Sequence, residues 1–487
     1  GGIERLNSSW ARRFSGFDEV EPPRLFEAVP DMLDWRRFWF ETIRSWLSWR
    51  VERVRSADAA HDVMTHVALS GHLGQLATHT LDEFGLAECV DLFGTSSFPT
   101  WLMANDPVEH LFNLETARDA ADGKPFWQAE LQGGRGRRAG AASTPHPTPA
   151  QIRSWIWNAI ASGARGVVFW QWRPELLGPE SPGYGLCTPS GELTERATAA
   201  GALARELRAS ELLADTTPAQ APIAVLLSRD TALLTYATDR TLDVYSAAVA
   251  GAHRLLTDAG VPLRFLHAET IARAGVPDGV KAIWWPMPLV ASAALSAALD
   301  EFVRAGGNLI AEASPGQHDE HGWCVPGAGY LRELFGAEVL ESDIAASPYV
   351  TISNGARIRG AWQVDTLVSC GALASGVDDR GALAATRNAR GAGHAALIGT
   401  FASLDYSSHR DAQTRDAIVS MLCDGLELPL WAWKRHRPGL VARLLERPQA
   451  PGVLVAVNHT PETAAITVRG TSHTVEPFSG RLISLGS

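Results

Sequence analysis

The sequence lacks most of the signatures that would settle its class at once. Its five cysteines, Cys89, Cys187, Cys324, Cys370 and Cys423, lie far apart, with no CxxC pair and no metal-ligand spacing. They read as reduced structural thiols, so neither a disulfide framework nor a metal site is expected, and no cofactor. No apolar run approaches about 18 residues, which excludes an obvious membrane span. There is no long run of like charge, and a formal net charge of -11 argues against nucleic acid as the main partner. GxSxG is absent, so Ser/His/Asp hydrolysis has no nucleophile elbow. No GxGxxG or P-loop stands at a strand-to-helix turn, and Gly391-Ala-Gly393 reads as a turn rather than a phosphate cradle. The chain opens Gly-Gly-Ile-Glu, with neither Met nor a signal sequence, straight into folded-looking sequence at Leu6 to Trp10. The expectation is an N-terminally truncated chain with a cytoplasmic location.

What is present is a globular composition over 487 residues, enough for about two to four domains. Eleven of the seventeen tryptophans lie before residue 210. Core packing accounts for most of them, since an indole buries well. The functional alternative is a cleft in which indole faces stack on sugar rings.

After an irregular stretch to residue 30, apolar positions from Asp31 to Val54 recur at helical spacing. Strand and helix then alternate. Val63–Val67, Cys89–Phe93, Pro125–Glu130 and Gly166–Trp172 read as strands. His72–Phe84, Pro107–Ala117, Pro149–Ala161 (capped by Thr148) and Leu193–Leu213 read as helices. Strands about 30–40 residues apart, each followed by a helix, imply βα units and a parallel sheet. Val167-Val-Phe-Trp170 is continuously apolar, as a strand buried on both faces should be. Four such units are half of a (β/α)8 barrel. The expected barrel part is 1–214.

Asp215 to Gln220 reads as a linker. A second α/β region, 221–430, has strands at Pro222–Leu227, Leu263–Leu266, Ala282–Trp285 and Asn308–Ala311. Helices at Leu242–Ala259, Ala294–Ala305 and Asp411–Leu426 accompany them, an open doubly wound sheet of flavodoxin-like outline. The last part, 431–487, has short strands between turn residues and reads as a small antiparallel β module.

The chemistry concentrates on Lys124-Pro-Phe-Trp-Gln-Ala-Glu-Leu-Gln-Gly-Gly134. Here a short apolar strand ends on one carboxylate, Glu130, and breaks at two glycines. A parallel barrel places reactive groups at the C-terminal tips of its strands. The other tips offer Thr65-His66, Thr95-Ser96-Ser97 and Gln171-Trp172-Arg173, with a loop carrying Glu175 and Glu180. A strand-end Glu is often just solvated or ion-paired, and His66 and His146 are by themselves ordinary rim histidines. Glycoside hydrolysis needs two carboxylates, and only Glu130 has the position of a nucleophile.

These residues carry a resemblance. Leu6-Asn-Ser-Ser-Trp10, Phe17-Asp-Glu-Val20, Pro22-Pro-Arg24, Leu33-Asp-Trp-Arg-Arg-Phe38, Lys124 to Glu130, Gly163 to Arg173 and Gly178-Pro-Glu180 resemble glycoside hydrolase family 42, the β-galactosidases. Phe302 to Ile310 resembles that family's trimerisation domain. The resemblance implies a retaining hydrolase of terminal β-D-galactosides, with Glu130 as nucleophile on the seventh barrel strand. The acid/base Glu would lie before residue 1. Glu180 would contact the sugar, with Trp172, Arg173, His66 and Ser97 lining the site, and the middle domain would build a homotrimer. The chain departs from the family at Thr95-Ser-Ser-Phe-Pro99, at His66 and in the Trp-free loop Gly133 to Gly140. Those departures leave α-L-arabinopyranosides, or a non-catalytic carbohydrate-binding relative, as alternatives.

Overall fold

The computed structural model describes residues 2–23, 29–68, 74–138, 141–427 and 437–486. Arg24, His72, Gly140 and the 430/431 boundary lie outside the described residues. Four parallel strands, β1 (Met64–Ala68), β2 (Leu92–Ser97), β3 (Phe126–Gln132) and β4 (Val167–Trp170), lie side by side in chain order. Helix α1 (Val29–Ala57) precedes β1, and α2 (Pro107–Ala120), α3 (Pro149–Ala161) and α4 (Glu195–Ala209) follow β2, β3 and β4. This is half of a (β/α)8 barrel. Local chemistry sets its punctuation. Asp106 caps α2 with Pro107 in the first turn, and Thr148 and Gln151 close a reciprocal capping box on α3.

Three expectations shift. Residues 1–30 are not wholly irregular, since Ile3–Trp10 is helical and its Trp10 indole donates to Asp34 at 2.8 Å. The single helix expected from His72 to Phe84 is replaced by two short ones, Gly74–Thr78 and Glu83–Ala87. Thr80 in the left-handed region and the Asp82 cap on Gly85 divide them. Strand β2 starts at Leu92 rather than Cys89, because Cys89 is held by Ser48 of α1 at 3.2 Å and not by a strand neighbour.

The outer face of the sheet packs on the helices. Phe93 and Phe126 meet Leu114, Ala117 and Ala120 of α2. Leu131 meets Ile152, Trp155 and Ile156 of α3. A buried indole removes about 200 Å² from water, roughly 5 kcal/mol at about 25 cal/mol/Å², so the α3 tryptophans are core residues.

The middle domain is a nine-stranded sheet. Its parallel part comprises β5 (Ile223–Leu227), β6 (Leu263–His267), β7 (Ala282–Trp285), β8 (Asn308–Ala311) and β9 (Gly393–Ile398), in the order β6-β5-β7-β8-β9. That is the flavodoxin-like order. Strands Leu383–Arg390, Leu373–Asp378, Tyr349–Ile352 and Arg357–Arg359 extend it antiparallel. Such a sheet usually binds ligands beyond its strand C-termini. Here the half-barrel meets that edge: Arg229 and Asp230, just past β5, pair with Asp82 and with Arg37 of α1, each at 2.9 Å.

The final module pairs Leu440–Arg447, Ala450–Asn458 and Ser479–Ser484 antiparallel. The presumed linker is part of it, because Thr217–Pro218 adds a short edge strand against Leu445 and Glu446. Trp157 of α3 packs so closely under Gly480 that a Cβ there would sit 2.3 Å from the indole.

One buried carboxylate joins all three parts. Glu115 of α2 is fully enclosed. It accepts from Arg443 of the last module at 2.6 and 3.2 Å and from Arg118 at 3.3 Å. It also accepts at 2.7 Å from His253, on the middle-domain helix α5 (Asp243–Asp258). Burial alone would raise the Glu115 carboxyl, but Arg443, His253 and Arg118 together hold it well below the usual range. Burial lowers His253, which therefore donates as a neutral ring. Among the described residues no helix is long and apolar enough to cross a membrane.

Both depressed values make the junction acid-labile. The Glu115 contribution is complete above its unfolded value near 4.5 and is lost as pH falls towards the folded value. That of His253 is lost as pH falls below about 6.5. Arg443→Met strands the carboxylate and should cost about 3–5 kcal/mol at pH 7. The cost should shrink near pH 4, where the stranded group takes up a proton. Urea unfolding at the two pH values measures both.

Candidate functional site

Glu130 faces the inside of the half-barrel because β3 carries one residue too many. Phe126 and Gln128 point outward, towards α2. Strict alternation would send Glu130 outward as well, into the helix layer. The ladder instead skips. Thr95 pairs with Gln128 but Ser96 pairs with Glu130, and on the other side Gln128 and Leu131 oppose Val167 and Phe169. The bulge turns both Ala129 and Glu130 inward and returns Leu131 to the α3 core. Ala129 lies over Gly94, where a Cβ would come within 2.7 Å of its methyl. Bulges commonly re-aim a side chain beside an active site.

The half-buried Glu130 carboxylate accepts from the Ser96 hydroxyl at 2.6 Å, and His66 Nε2 stands 3.7 Å away. His66 foremost, and then Ser96, hold the carboxyl below its ordinary range against the opposing effect of partial burial. Among described residues no group of three or more His, Cys, Asp or Glu is placed to hold a metal ion.

Behind the strand runs a buried chain of hydrogen bonds with a single polarity. His459 Nε2 of the last module donates to Asn158 Oδ1 at 2.7 Å, and Asn158 Nδ2 lies 3.5 Å from His110 Nδ1. His110 Nε2 donates to Gln128 Oε1 at 3.0 Å, and Gln128 Nε2 donates to the Glu130 carbonyl at 2.9 Å. Burial pushes His110 down to about 4 and His459 down to about 3, so both rings are neutral, each with one donor and one acceptor nitrogen. Gln132 ties the strand tip sideways, donating to Thr100 Oγ1 and to the Gly134 carbonyl, each at 2.7 Å.

The sequence-selected residues divide. Glu130 and His66 come together. Ser97 does not join them: it is fully buried on the helix side, donating to Gln128 at 3.0 Å and accepting from Asn113 at 2.6 Å. Its neighbour Ser96 takes the inner position, because adjacent strand residues face opposite ways. Glu180 is held by the indole of Trp170 at 2.9 Å, so Trp170 rather than Trp172 is the aromatic partner on that rim. Trp172 and Arg173 are exposed nearby. Sequence reading missed the bulge and the backing chain of His110, Asn158 and His459. His110 with Asn113, three residues apart on one face of α2, was the one available signal.

An ionised carboxylate with a donor on one oxygen and an open approach is equipped to attack an electrophilic carbon or to stabilise positive charge. Ser96→Ala removes one donor to the charged form, so the Glu130 pKa should rise towards the ordinary carboxylate value near 4.5. A ¹³C-carboxyl NMR titration, assigned with Glu130→Gln, reads the shift. No rise would mean that Ser96 does not tune this group.

Comparison with known proteins adds an independent line. A family model described as beta-galactosidase, of glycoside hydrolase family 42, matches residues 2–210, and the family's beta-galactosidase trimerisation domain matches 222–428. Beta-galactosidase BgaA of a Thermus species is 32% identical over 255 residues, covering 48% of this chain and 38% of that protein. Beta-galactosidase BgaH of Haloferax lucentense is 26% identical over 491 residues, covering 94% of this chain and 68% of that protein. The crystal structure of a cold-adapted beta-galactosidase from Rahnella sp. R3 superposes with a TM-score of 0.85 at 19% identity, over 99% of this chain and 73% of that one. The chain thus spans well under half of the Thermus relative's length. With a half-barrel, an inward strand-tip glutamate and both domain models matched in order, this chain belongs to glycoside hydrolase family 42.

Proposed function

We propose that the chain supplies the nucleophile side of a retaining glycoside hydrolase acting on terminal, non-reducing β-D-galactosides. The observation that carries this is Glu130: ionised, turned inward by the β3 bulge and hydrogen-bonded by Ser96. In the retaining mechanism such a carboxylate attacks the anomeric carbon while an acid about 5–5.5 Å away protonates the leaving oxygen. Water then cleaves the glycosyl-enzyme with the acid acting as base. Glu180 is engaged with Trp170, which suits a sugar contact better than proton transfer. We assign the acid/base to four further strands that would close the barrel against β1 and β4. Among described residues each of these strands has one sheet neighbour, and the apolar Val168 and Trp170 of β4 are exposed. His66, Trp172 and Arg173 remain proposed sugar contacts, and a cytoplasmic location is part of the same reading.

The same reading makes the protein a homotrimer built on the middle domain. Leu340 and Ile344 of strand Ala337–Ile344, with Val368 of its partner Gln363–Ser369, expose apolar side chains on that domain. Exposed apolar clusters of this kind mark contact surfaces.

Glu130→Gln in the enzyme with a complete barrel should lower turnover of 4-nitrophenyl β-D-galactopyranoside by on the order of 10³-fold or more. The 487-residue chain alone should give no turnover above buffer. Near-normal turnover by Glu130→Gln would remove it as nucleophile. Light scattering after size exclusion should give three chain masses, with Ile344→Glu shifting the population to monomer. A wild-type monomer would end the trimer reading.

A further inference from the structure

Two arginines in the corner just beyond Glu130 have no carboxylate partner among the described residues. Gly133 and Gly134 follow β3 and press against the 184–185 backbone, where a Cβ on Gly134 would sit 2.5 Å from the Gly185 carbonyl. Arg135 comes next, five residues past Glu130. Its backbone is pinned on both sides: its N–H donates to His146 Nδ1 at 3.3 Å, and its carbonyl accepts from Tyr184 at 2.9 Å. Its guanidinium is not satisfied. The Nε is buried and has no hydrogen-bond partner, and among the described residues no carboxylate lies within ion-pair distance of Arg135.

Arg196, in the first turn of α4, enters the same corner. It donates only to backbone carbonyls, to Gly133 at 3.0 Å and to Gly185 at 2.7 Å, and it too has no carboxylate partner among the described residues. With Nδ1 accepting from Arg135, a neutral His146 keeps its Nε2–H as a further donor. Burial first, then the charges of Arg196 and Arg135, lower the His146 pKa, so both guanidiniums lie within electrostatic reach of His146. By sequence the same loop also carries Arg137 and Arg138, giving three arginines in the eight residues from Gly133 to Gly140 of a chain whose net charge is -11. A buried Arg135 Nε without an acceptor, on a half-buried guanidinium that follows the proposed nucleophile strand, calls for an oxyanion from outside the chain.

We propose that Arg135, flanked by Arg196 and His146, forms a subsite for an oxyanion carried by the substrate, a sulfate ester or a uronate carboxylate. The substrate is then an anionic galactoside rather than a neutral disaccharide. This rests on reading Glu130 as the nucleophile of a β-galactoside hydrolase, and it names the substrate class of that site.

Calorimetric titration of the enzyme with a complete barrel, made inactive by Glu130→Gln, with three ligands tests it: neutral galactobiose, a sulfated galactobiose and a galacturonate-containing disaccharide. At least one charged ligand should bind about 10- to 100-fold more tightly than the neutral one, and the preference should fall with added salt. The ranking of the two charged ligands tells sulfate from carboxylate. Arg135→Met should abolish the preference and leave neutral binding unchanged, while Arg135→Lys should retain part of it. Circular dichroism confirms that both variants are folded. Equal binding of neutral and charged ligands, or an unchanged preference in Arg135→Met, overturns the subsite and leaves the galactoside reading standing. Failure of the complete-barrel enzyme to bind any of the three overturns both.

Discussion

Glu115 is the point on which the arrangement rests. A carboxylate with no solvent exposure is tolerable only while it is fully paired, and its partners come from three different parts of the chain: Arg118 beside it, His253 of the middle domain and Arg443 of the last module. None of the parts can move away without stranding a charge. The helix that carries Glu115 is also the helix behind the site. One turn or so earlier, α2 presents His110 and Asn113 to Gln128 and Ser97. The charge that fixes the domains therefore also fixes the depth at which α2 sits behind β2 and β3.

A second tie follows the same logic with neutral groups. His459 reaches the back of β3 through Asn158, His110 and Gln128, and the last bond in that series falls on the Glu130 carbonyl. Gln128, His110 and Asn158 are buried, so a missing partner at any of them would leave an unsatisfied polar atom costing about 1–3 kcal/mol. The small C-terminal module thus belongs to the support of the proposed nucleophile. Trp157 under Gly480 supplies the apolar part of the same contact.

How much of this was legible depended on whether the cause was local. The βα alternation, the Thr148 cap and the flavodoxin-like order of the middle strands follow from periodicity and turn chemistry, which act within a few residues. The position of Glu130 at a strand tip was readable for the same reason. Its inward direction was not. Period-two alternation from Phe126 predicts the wrong face, and only the bulge opposite Thr95 and Ser96 reverses it. The Ser97 and Ser96 exchange follows instead from alternation along β2, which puts Gly94 and Ser96 on the inner face and Thr95 and Ser97 on the helix side. Contacts across hundreds of positions, such as Arg443 to Glu115, carry no mark in either local stretch. Thr217–Pro218 resembled a linker because its strand partner lies more than two hundred residues later.

The electrostatics around Glu130 then follow from which charges are already committed. Most guanidiniums buried at the domain contacts have carboxylate partners, as Arg37, Arg118, Arg229 and Arg443 do. Those charges are neutralised within the fold. Arg135 and Arg196 differ in kind. Among the described residues they meet only neutral acceptors, or none, beyond the strand tip that carries Glu130. Like charges gathered in one corner raise the energy of the empty site, and a bound oxyanion relieves it. On the proposed reading Arg135 stands five residues past the carboxylate that would attack the anomeric carbon. The field of these like charges favours a substrate that brings its own negative charge, and it does so without adding a proton donor to the catalytic pair.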